Sequence, residues 1–252
     1  MKIDHPDISI VVPVFNNAQT LSILYERLSV VTRHLNIHWE LILVNDGGTD
    51  SSLDTAKQLM SMHKEIRILN LTKNLGQHSA VLVGLNSAAA EWCMILDADL
   101  QDPPERLIDL WDTRLGNYDT VFFGRRGSYE SIFRLLTGKI YRLLISIISP
   151  APVDAGIFML VSRPVIQRIL KMPVSRPFIP VMVAFASKSM VSVPVKRDIR
   201  KIGKSSYTFR KRLKAAKSAF CCIWEIRYPK KKTSYLDNLK FNPIQSHYSH
   251  FS

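Results

Sequence analysis

The chain has 252 residues, 46% of them hydrophobic and 22% charged. That is enough to bury a sizeable core as one large domain or a domain with an appendage, and too apolar for a disordered chain. Cys93, Cys221 and Cys222 suit neither a disulfide framework nor a zinc site, which points to a reducing compartment. The opening MKIDHPDISI lacks the apolar run of a signal peptide, and no window reaches the roughly 18 apolar residues of a spanning helix, so a soluble or peripheral protein is expected.

Short β-branched runs alternate with helical periodicity along the first half. ISIVVPV (8–14) reads as a buried strand, and residues 18–34 as a helix with Leu21, Leu24, Leu28 and Val31 on one stripe. WELILVN (39–45) is a second strand, and Asp50 and Ser51 suit the cap of a helix reaching about Met62. IRILNL (66–71) is a third strand, followed by a helix over 80–90 and a fourth strand, WCMILDA (92–98). Pro103 and Pro104 open the next helix, where proline is tolerated, and DTVFFG (119–124) is a fifth strand.

Residues 132–148, IFRLLTGKIYRLLISII, show a helical pattern in which Arg134, Lys139 and Arg142 interrupt an apolar surface. Two readings stand: an interfacial membrane helix, or a core helix with a basic edge. GIFMLVS (156–162) and SMVSVPV (189–195) are further strands with helices between them. From about Cys222 the periodicity is lost, so a folded unit over 1–220 and a poorly ordered polar tail over 221–252 are expected.

Strand–helix alternation predicts an α/β fold with a mainly parallel central sheet and helices on both faces. Ligands of such sheets bind beyond the carboxyl ends of the strands. Asn16, Asp46 and the pair Asp97 and Asp99 fall at three of those ends. Residues 97 and 99 alternate with period two and so face the same side, where two carboxylates repel unless a cation stands between them. Carboxylates, with an amide oxygen from Gln101, suit Mg²⁺ or Mn²⁺, and Mg²⁺ takes one or two carboxylates plus substrate phosphates.

The net charge of +13 is concentrated: residues 196–217 hold ten Lys or Arg against the single acid Asp198. Such a segment suits phosphates, an anionic bilayer or nucleic acid, or is simply a solvated basic face.

The motifs SIVVPVFNN (9–17), ELILVNDGGTDSS (40–52), LTKNLGQHSAVLVGLNSAAAEW (71–92) and MILDADLQDPPE (94–105) occur in order. Together they resemble family 2 glycosyltransferases of the GT-A nucleotide-diphospho-sugar transferase fold. Among these, the polyprenyl-phosphate sugar transferases of the dolichyl and undecaprenyl type are most similar. The likeness continues through GRR (124–126), DAGIFMLVSR (154–163) and RKIGKSSYTFRKRLKAA (200–216), and so covers nearly all of 8–220.

The resemblance implies an inverting hexosyl transfer from a UDP- or GDP-sugar to a polyprenyl phosphate. The enzyme would act from the cytoplasm, as a peripheral protein at the inner membrane face, with no nucleic-acid partner. Pro13, Phe15 and Asn17 would line the base, with Val44 and Asp46 fixing base and ribose. Asp97, Ala98 and Asp99 would hold the donor diphosphate through the metal with Gln101, and Arg200 would clamp it from the other side. Arg126, Arg134 and Thr137 match the region that holds the acceptor phosphate. A saccharide-hydroxyl acceptor would instead need a general base, and Asp154 is the first candidate.

Departures from the family pattern are Asn45 and Gly48, where Asp and Ser are commoner, and Ile157 and Met159, where polar residues or Arg are. The lipid-acceptor subgroup usually continues into two spanning helices, whereas here the chain turns polar after AFCCIWEIRY. Two other classes fit less well. Phosphatases that form an aspartyl-phosphate want their Asp-x-Asp on the first strand, with Thr or Val two residues on. A basic nucleic-acid or membrane-surface module without catalysis would use the basic cluster, but binding-module signatures are missing. His78 reads as structural, and Gly47-Gly48 as a turn, since it lacks the lysine of a P-loop.

Overall fold

Strand β1 (Ile8–Val14) is buried along its whole length, and its side chains divide between two cores by simple alternation. Val11 joins one core, while Ile8, Ile10, Val12 and Val14 join the other. Strand β2 (Trp39–Asn45) repeats the division, with Ile42 and Val44 on one side and Leu41 and Leu43 on the other. A strand apolar on both faces needs cover on both sides, which is the pattern of a helix-covered parallel sheet.

The computed structural model, which describes residues 5–111, 117–126, 145, 147–196, 198, 209–230, 233–237 and 244–247, has that sheet. Strands β3 (Ile66–Leu71), β4 (Trp92–Ile95), β5 (Thr120–Arg126), β6 (Met159–Ser162), β7 (Met190–Lys196) and β8 (Ile244–His247) complete it. The eight strands run in the order β7-β5-β6-β4-β1-β2-β3-β8. The pairs β1–β2, β1–β4, β2–β3 and β5–β7 are parallel. Strand β6 is antiparallel to both its neighbours, so β5 and β7 run the same way as β4. Strand β8 closes the β3 edge in antiparallel register. The carboxyl ends of β1 to β5 and of β7 therefore share one edge.

The first core packs under α3 (Gln77–Ser87), α5 (Arg163–Leu170), α6 (Ile179–Ala186) and the second half of α7 (Phe209–Arg227). The second packs under α1 (Ala18–His34), α2 (Ser52–Met62) and Leu107 of α4 (Arg106–Leu110). A Cβ on Gly84 would stand 2.4 Å from Val11 Cγ1 and 3.0 Å from Val44 Cγ2. Helix α3 thus rests directly on β1 and β2, and a side chain at 84 would lift it off.

Several expectations shift. The helix expected at 80–90 covers Gln77–Ser87, and the fourth strand ends at Ile95 rather than 98. Pro103 and Pro104 precede α4 rather than enter it; their carbonyls accept the N–H groups of Arg106 at 3.2 Å and Leu107 at 3.0 Å. Regular structure does not stop at Cys222. Helix α7 continues to Arg227, with Ala219, Cys222 and Ile223 buried, so a division at 220/221 falls inside a helix. The spacing of 219, 222, 223 and 226 is helical, but aromatic residues on the opposite face blur the pattern. Most of 132–148 lies outside the described residues; within it, Ile145 is buried and Ile147 is exposed.

Candidate active site

From β1 the chain moves to β2 and β3 on one side, then returns to β4 on the other. The crevice between the carboxyl ends of β1 and β4 is therefore the topological switch point, where open α/β sheets bind ligands. The register of β1 with β4 ends at Val11–Ile95, so Pro13 lies beyond the last pair. A central strand tolerates the missing N–H there, and the two strands part. Phe15 follows, 47% exposed, just past the carboxyl end of β1.

The turns after β1 and β2 form one hydrogen-bonded unit. Asn16, at φ 57, accepts on Oδ1 from the N–H groups of Thr49 at 2.8 Å and Asp50 at 3.3 Å. Asn17 Oδ1 accepts from Phe15 N at 3.0 Å, and Asn17 N donates to Ser52 Oγ at 2.8 Å. The Asp50 carboxylate accepts from Ala18 N at 3.1 Å, Ser52 N at 3.0 Å and Ser52 Oγ at 2.5 Å. Burial pushes the Asp50 pKa up, but the Ser52 hydroxyl and the N–H donors outweigh it and hold the carboxyl below its ordinary range.

The two residues expected at base and ribose, Val44 and Asp46, lie at the end of β2 and just beyond it. Val44 is fully buried against α3 in the first core. Asp46 is buried, and its two oxygens accept from Leu75 N at 2.7 Å and Gly76 N at 2.9 Å. These bonds tie the end of β2 to the β3–α3 turn. Burial raises its pKa, partly offset by those N–H donors. Gly47, at φ +67, turns so close to the same loop that a Cβ would stand 2.8 Å from Asn74 N.

Beyond β4 the alternation survives although the strand does not. Leu96 and Ala98 are buried in the second core, while Asp97 and Asp99 are half-buried towards the edge. Asp97 Oδ1 accepts from Gln77 Nε2, the first residue of α3. Asp99 Oδ1 accepts from Gln101 N at 3.1 Å across Leu100, which has φ 60. The Gln101 carbonyl in turn accepts from Asp198 N at 2.9 Å. Arg27 of α1 secures this junction, with Nε on Glu105 Oε1 at 2.7 Å, Nη2 on Glu105 Oε2 at 2.6 Å and Nη2 on Asp198 Oδ2 at 3.2 Å. The segment leaving β7 is thereby tied to the loop carrying both carboxylates.

Asp154 lies just before β6, at the same edge, and its Oδ1 accepts from Ser192 Oγ of β7 at 2.7 Å. Its carboxylate rests on β5 at Gly124. Arg126 ends β5, with its backbone in register with Lys196; its side chain lies outside the described residues, as do Arg134, Thr137 and Arg200. Among the described residues no group of three or more His, Cys, Asp or Glu gathers at metal-binding distance. Two carboxylates still fit the hard-ligand chemistry of Mg²⁺ or Mn²⁺, which fill their remaining positions from substrate phosphates and water.

Gln77, Ser192, Gly124 and the Arg27–Glu105–Asp198 bridge were missed by sequence reasoning. Only Gln77 carried a signal, as a polar residue opening an otherwise apolar helix.

Residues 9–170 match the family model described as glycosyl transferase family 2. Over 213 residues, 83% of this chain, it is 29% identical to an uncharacterized glycosyltransferase, YkcC, of Bacillus subtilis (strain 168). Over 223 residues, 87% of this chain, it is 30% identical to an undecaprenyl-phosphate 4-deoxy-4-formamido-L-arabinose transferase of Pectobacterium carotovorum subsp. carotovorum (strain PC1). The chain spans about two thirds of these relatives' lengths, 66% and 68%.

Among solved structures, the mannosyltransferase PcManGT of Pyrobaculum calidifontis, in complex with GDP-Man and Mn²⁺, superposes with a TM-score of 0.61 at 16% identity. That match covers 86% of this chain and 64% of the other. Glucosyl-3-phosphoglycerate synthase of Mycobacterium tuberculosis, with Mn²⁺, uridine-diphosphate and glucosyl-3-phosphoglycerate, gives 0.62 at 14% identity, covering 97% and 87%. At these identities the likeness establishes the fold, which is GT-A.

Proposed function

The chain belongs to glycosyl transferase family 2, and from that membership we propose that it transfers a hexose from a UDP- or GDP-sugar to a polyprenyl phosphate at the cytoplasmic membrane face. The observation that carries this reading is the half-buried pair Asp97 and Asp99 at the β1–β4 switch point, held by Gln77 and by the Gln101 turn. The relatives named for undecaprenyl-phosphate transfer support the acceptor class. Membership of an enzyme family sets aside a basic binding module without catalysis.

In the proposed reaction an acceptor phosphate oxygen attacks the anomeric carbon. The new carbon–oxygen bond forms as the bond to the nucleoside diphosphate breaks, and the diphosphate leaves with the electron pair. A single displacement inverts the anomeric configuration. A divalent cation held by Asp97 and Asp99 would neutralise charge developing on the leaving diphosphate.

The chain's own groups orient the donor. Phe15 offers an exposed ring to the base, and the Asn16–Asp50–Ser52 unit holds that ring's turn in place. Gln77 and the Gln101 turn aim the two carboxylates, and positioning of this kind is a large part of catalysis. Arg200, two residues beyond Asp198, is assigned to the diphosphate, where a guanidinium fork suits phosphate oxygens. An acceptor phosphate is already ionised near neutrality and needs no strong base.

A saccharide-hydroxyl acceptor is the second reading. The observation favouring it is Asp154, a carboxylate on the same sheet edge oriented by Ser192.

Incubating radiolabelled UDP- and GDP-sugars with undecaprenyl phosphate and Mn²⁺ tests the proposal. Label should move into the organic extract. Transfer to oligosaccharide acceptors alone would favour the second reading, and no transfer from any donor would contradict both.

A further inference from the structure

Helix α7 is apolar on two faces. Ala219, Cys222 and Ile223 are buried, and Ile226 packs against the same core, at helical spacing. On the outer side Phe220, Trp224 and Tyr228 follow one another every fourth residue and are 42%, 60% and 57% exposed. The rings of Trp224 and Tyr228 lie 4.6 Å apart. Residues four apart share one face of a helix. A helix that already spends one stripe on the core ordinarily turns polar side chains outward, and contiguous exposed apolar surface marks a contact site.

The composition of that face selects its partner. Trp and Tyr, apolar in body and polar at one end, collect at the boundary between lipid and water. Helix α7 carries six Lys or Arg against one acid, Glu225. The Glu225 carboxylate accepts from Ser175, through N at 2.7 Å and through the hydroxyl, and its single charge is outnumbered by the six cations. Lys217, Arg227 and Lys230 are exposed beside the aromatic stripe. Aromatic rings flanked by cations match an anionic bilayer, and no described helix is long and apolar enough to cross one.

The inner side of the same helix leads to the catalytic edge. Cys222 and Phe178 belong to the same core, and the Phe178 ring packs on His78 with centroids 4.4 Å apart. His78 adjoins Gln77, the partner of Asp97.

We propose that the outer face of α7, centred on Phe220, Trp224 and, just past its end, Tyr228, is a docking surface for an anionic lipid bilayer. The proposal rests on the lipid-phosphate reading for its purpose but not for its measurement, since vesicle binding is read without donor or acceptor.

The test is co-sedimentation with phosphatidylcholine vesicles, with and without phosphatidylglycerol, for the wild type and for the triple variant Phe220→Ser, Trp224→Ser, Tyr228→Ser. Thermal unfolding checks that the triple variant is folded, and Trp224→Phe is carried alongside because it keeps an aromatic ring. The wild type should bind the anionic vesicles. The triple variant should lose about tenfold or more in partition, equivalent to about 1.4 kcal/mol, and Trp224→Phe should bind nearly as the wild type does. Anionic vesicles should also blue-shift a fluorescence component that Trp224→Phe lacks. Undiminished binding by a folded triple variant would overturn the proposal. So would a wild-type dimer, abolished by the triple variant, that does not bind vesicles. Sugar transfer to a water-soluble short-chain acceptor should be unchanged in the triple variant; its absence in the wild type as well would fault the functional reading and leave the docking surface standing.

Discussion

The carboxylate of Asp154 occupies the space that Gly124 leaves empty: a Cβ at 124 would stand 2.0 Å from Asp154 Oδ2 and 2.7 Å from Ser192 Oγ. Both are ends of side chains, so Gly124→Ala should displace the carboxylate while β5 stays in register. If the acceptor is a phosphate, Gly124→Ala and Asp154→Asn should each lower kcat by well under the roughly 10²–10⁴-fold that loss of a general base costs. Steady-state kinetics of the two variants reads this directly. A loss within that range in both would move the reaction to a hydroxyl acceptor with Asp154 as its base.

Arg27 joins α1 to Glu105 and to Asp198 through a fork that is largely at the surface. Surface pairs of this kind contribute about 0.2–1 kcal/mol, so Arg27→Met should barely change thermal stability. It should instead raise KM for the nucleotide sugar, because it frees the segment that Asp198 ties to Gln101 and that leads to Arg200. An unchanged KM would show that the bridge is ornamental to the donor site.

His78 gives a pH signature. Its ring packs on Phe178 and its Nδ1 accepts from Ile179 N at 3.4 Å, and burial pushes its pKa down to about 4 from 6.5. The unfolded chain therefore binds the proton more tightly, so stability is full above about 6.5 and falls as pH drops from there towards 4. Melting temperatures across that window should decline for the wild type, and His78→Gln should flatten the decline. An equal slope in both would remove His78 as its cause.

Asp46 tests the division of labour in the β3–α3 turn. Asp46→Ala leaves the N–H groups of Leu75 and Gly76 without their acceptor. A buried donor left unsatisfied costs about 1–3 kcal/mol, so chemical denaturation should show a loss of that order. Unchanged stability with lost donor binding would assign Asp46 to the ribose.

The strand–helix order of the first half was legible because β1 and β2 are buried on both faces and α1 and α2 show an apolar stripe. The position of Asp97 and Asp99 outside the core was legible for a related reason, since two carboxylates ending an apolar run have no place in one. The contacts of Asp46 with the Leu75–Gly76 turn and of Val44 with α3 were not legible, because residue type does not tell which turn or helix a strand-end side chain meets. The partners Ser192 and Gln77 stand 38 and 20 residues from the groups they orient, at separations only the folded topology brings together. The end of α7 was hidden by aromatic residues on its outer face, which broke the alternation of apolar and polar that marks a surface helix.

In the proposed reaction Asp97 and Asp99 would hold the donor diphosphate through a divalent cation. Isothermal titration of the wild type with UDP- and GDP-sugars, with Mn²⁺ or with a chelator, tests this against a folded Asp99→Asn variant. One donor should bind only with the metal present, and Asp99→Asn should weaken it by about 100-fold, or about 2.7 kcal/mol. Donor binding that survives the chelator and is unchanged in Asp99→Asn would contradict the central claim.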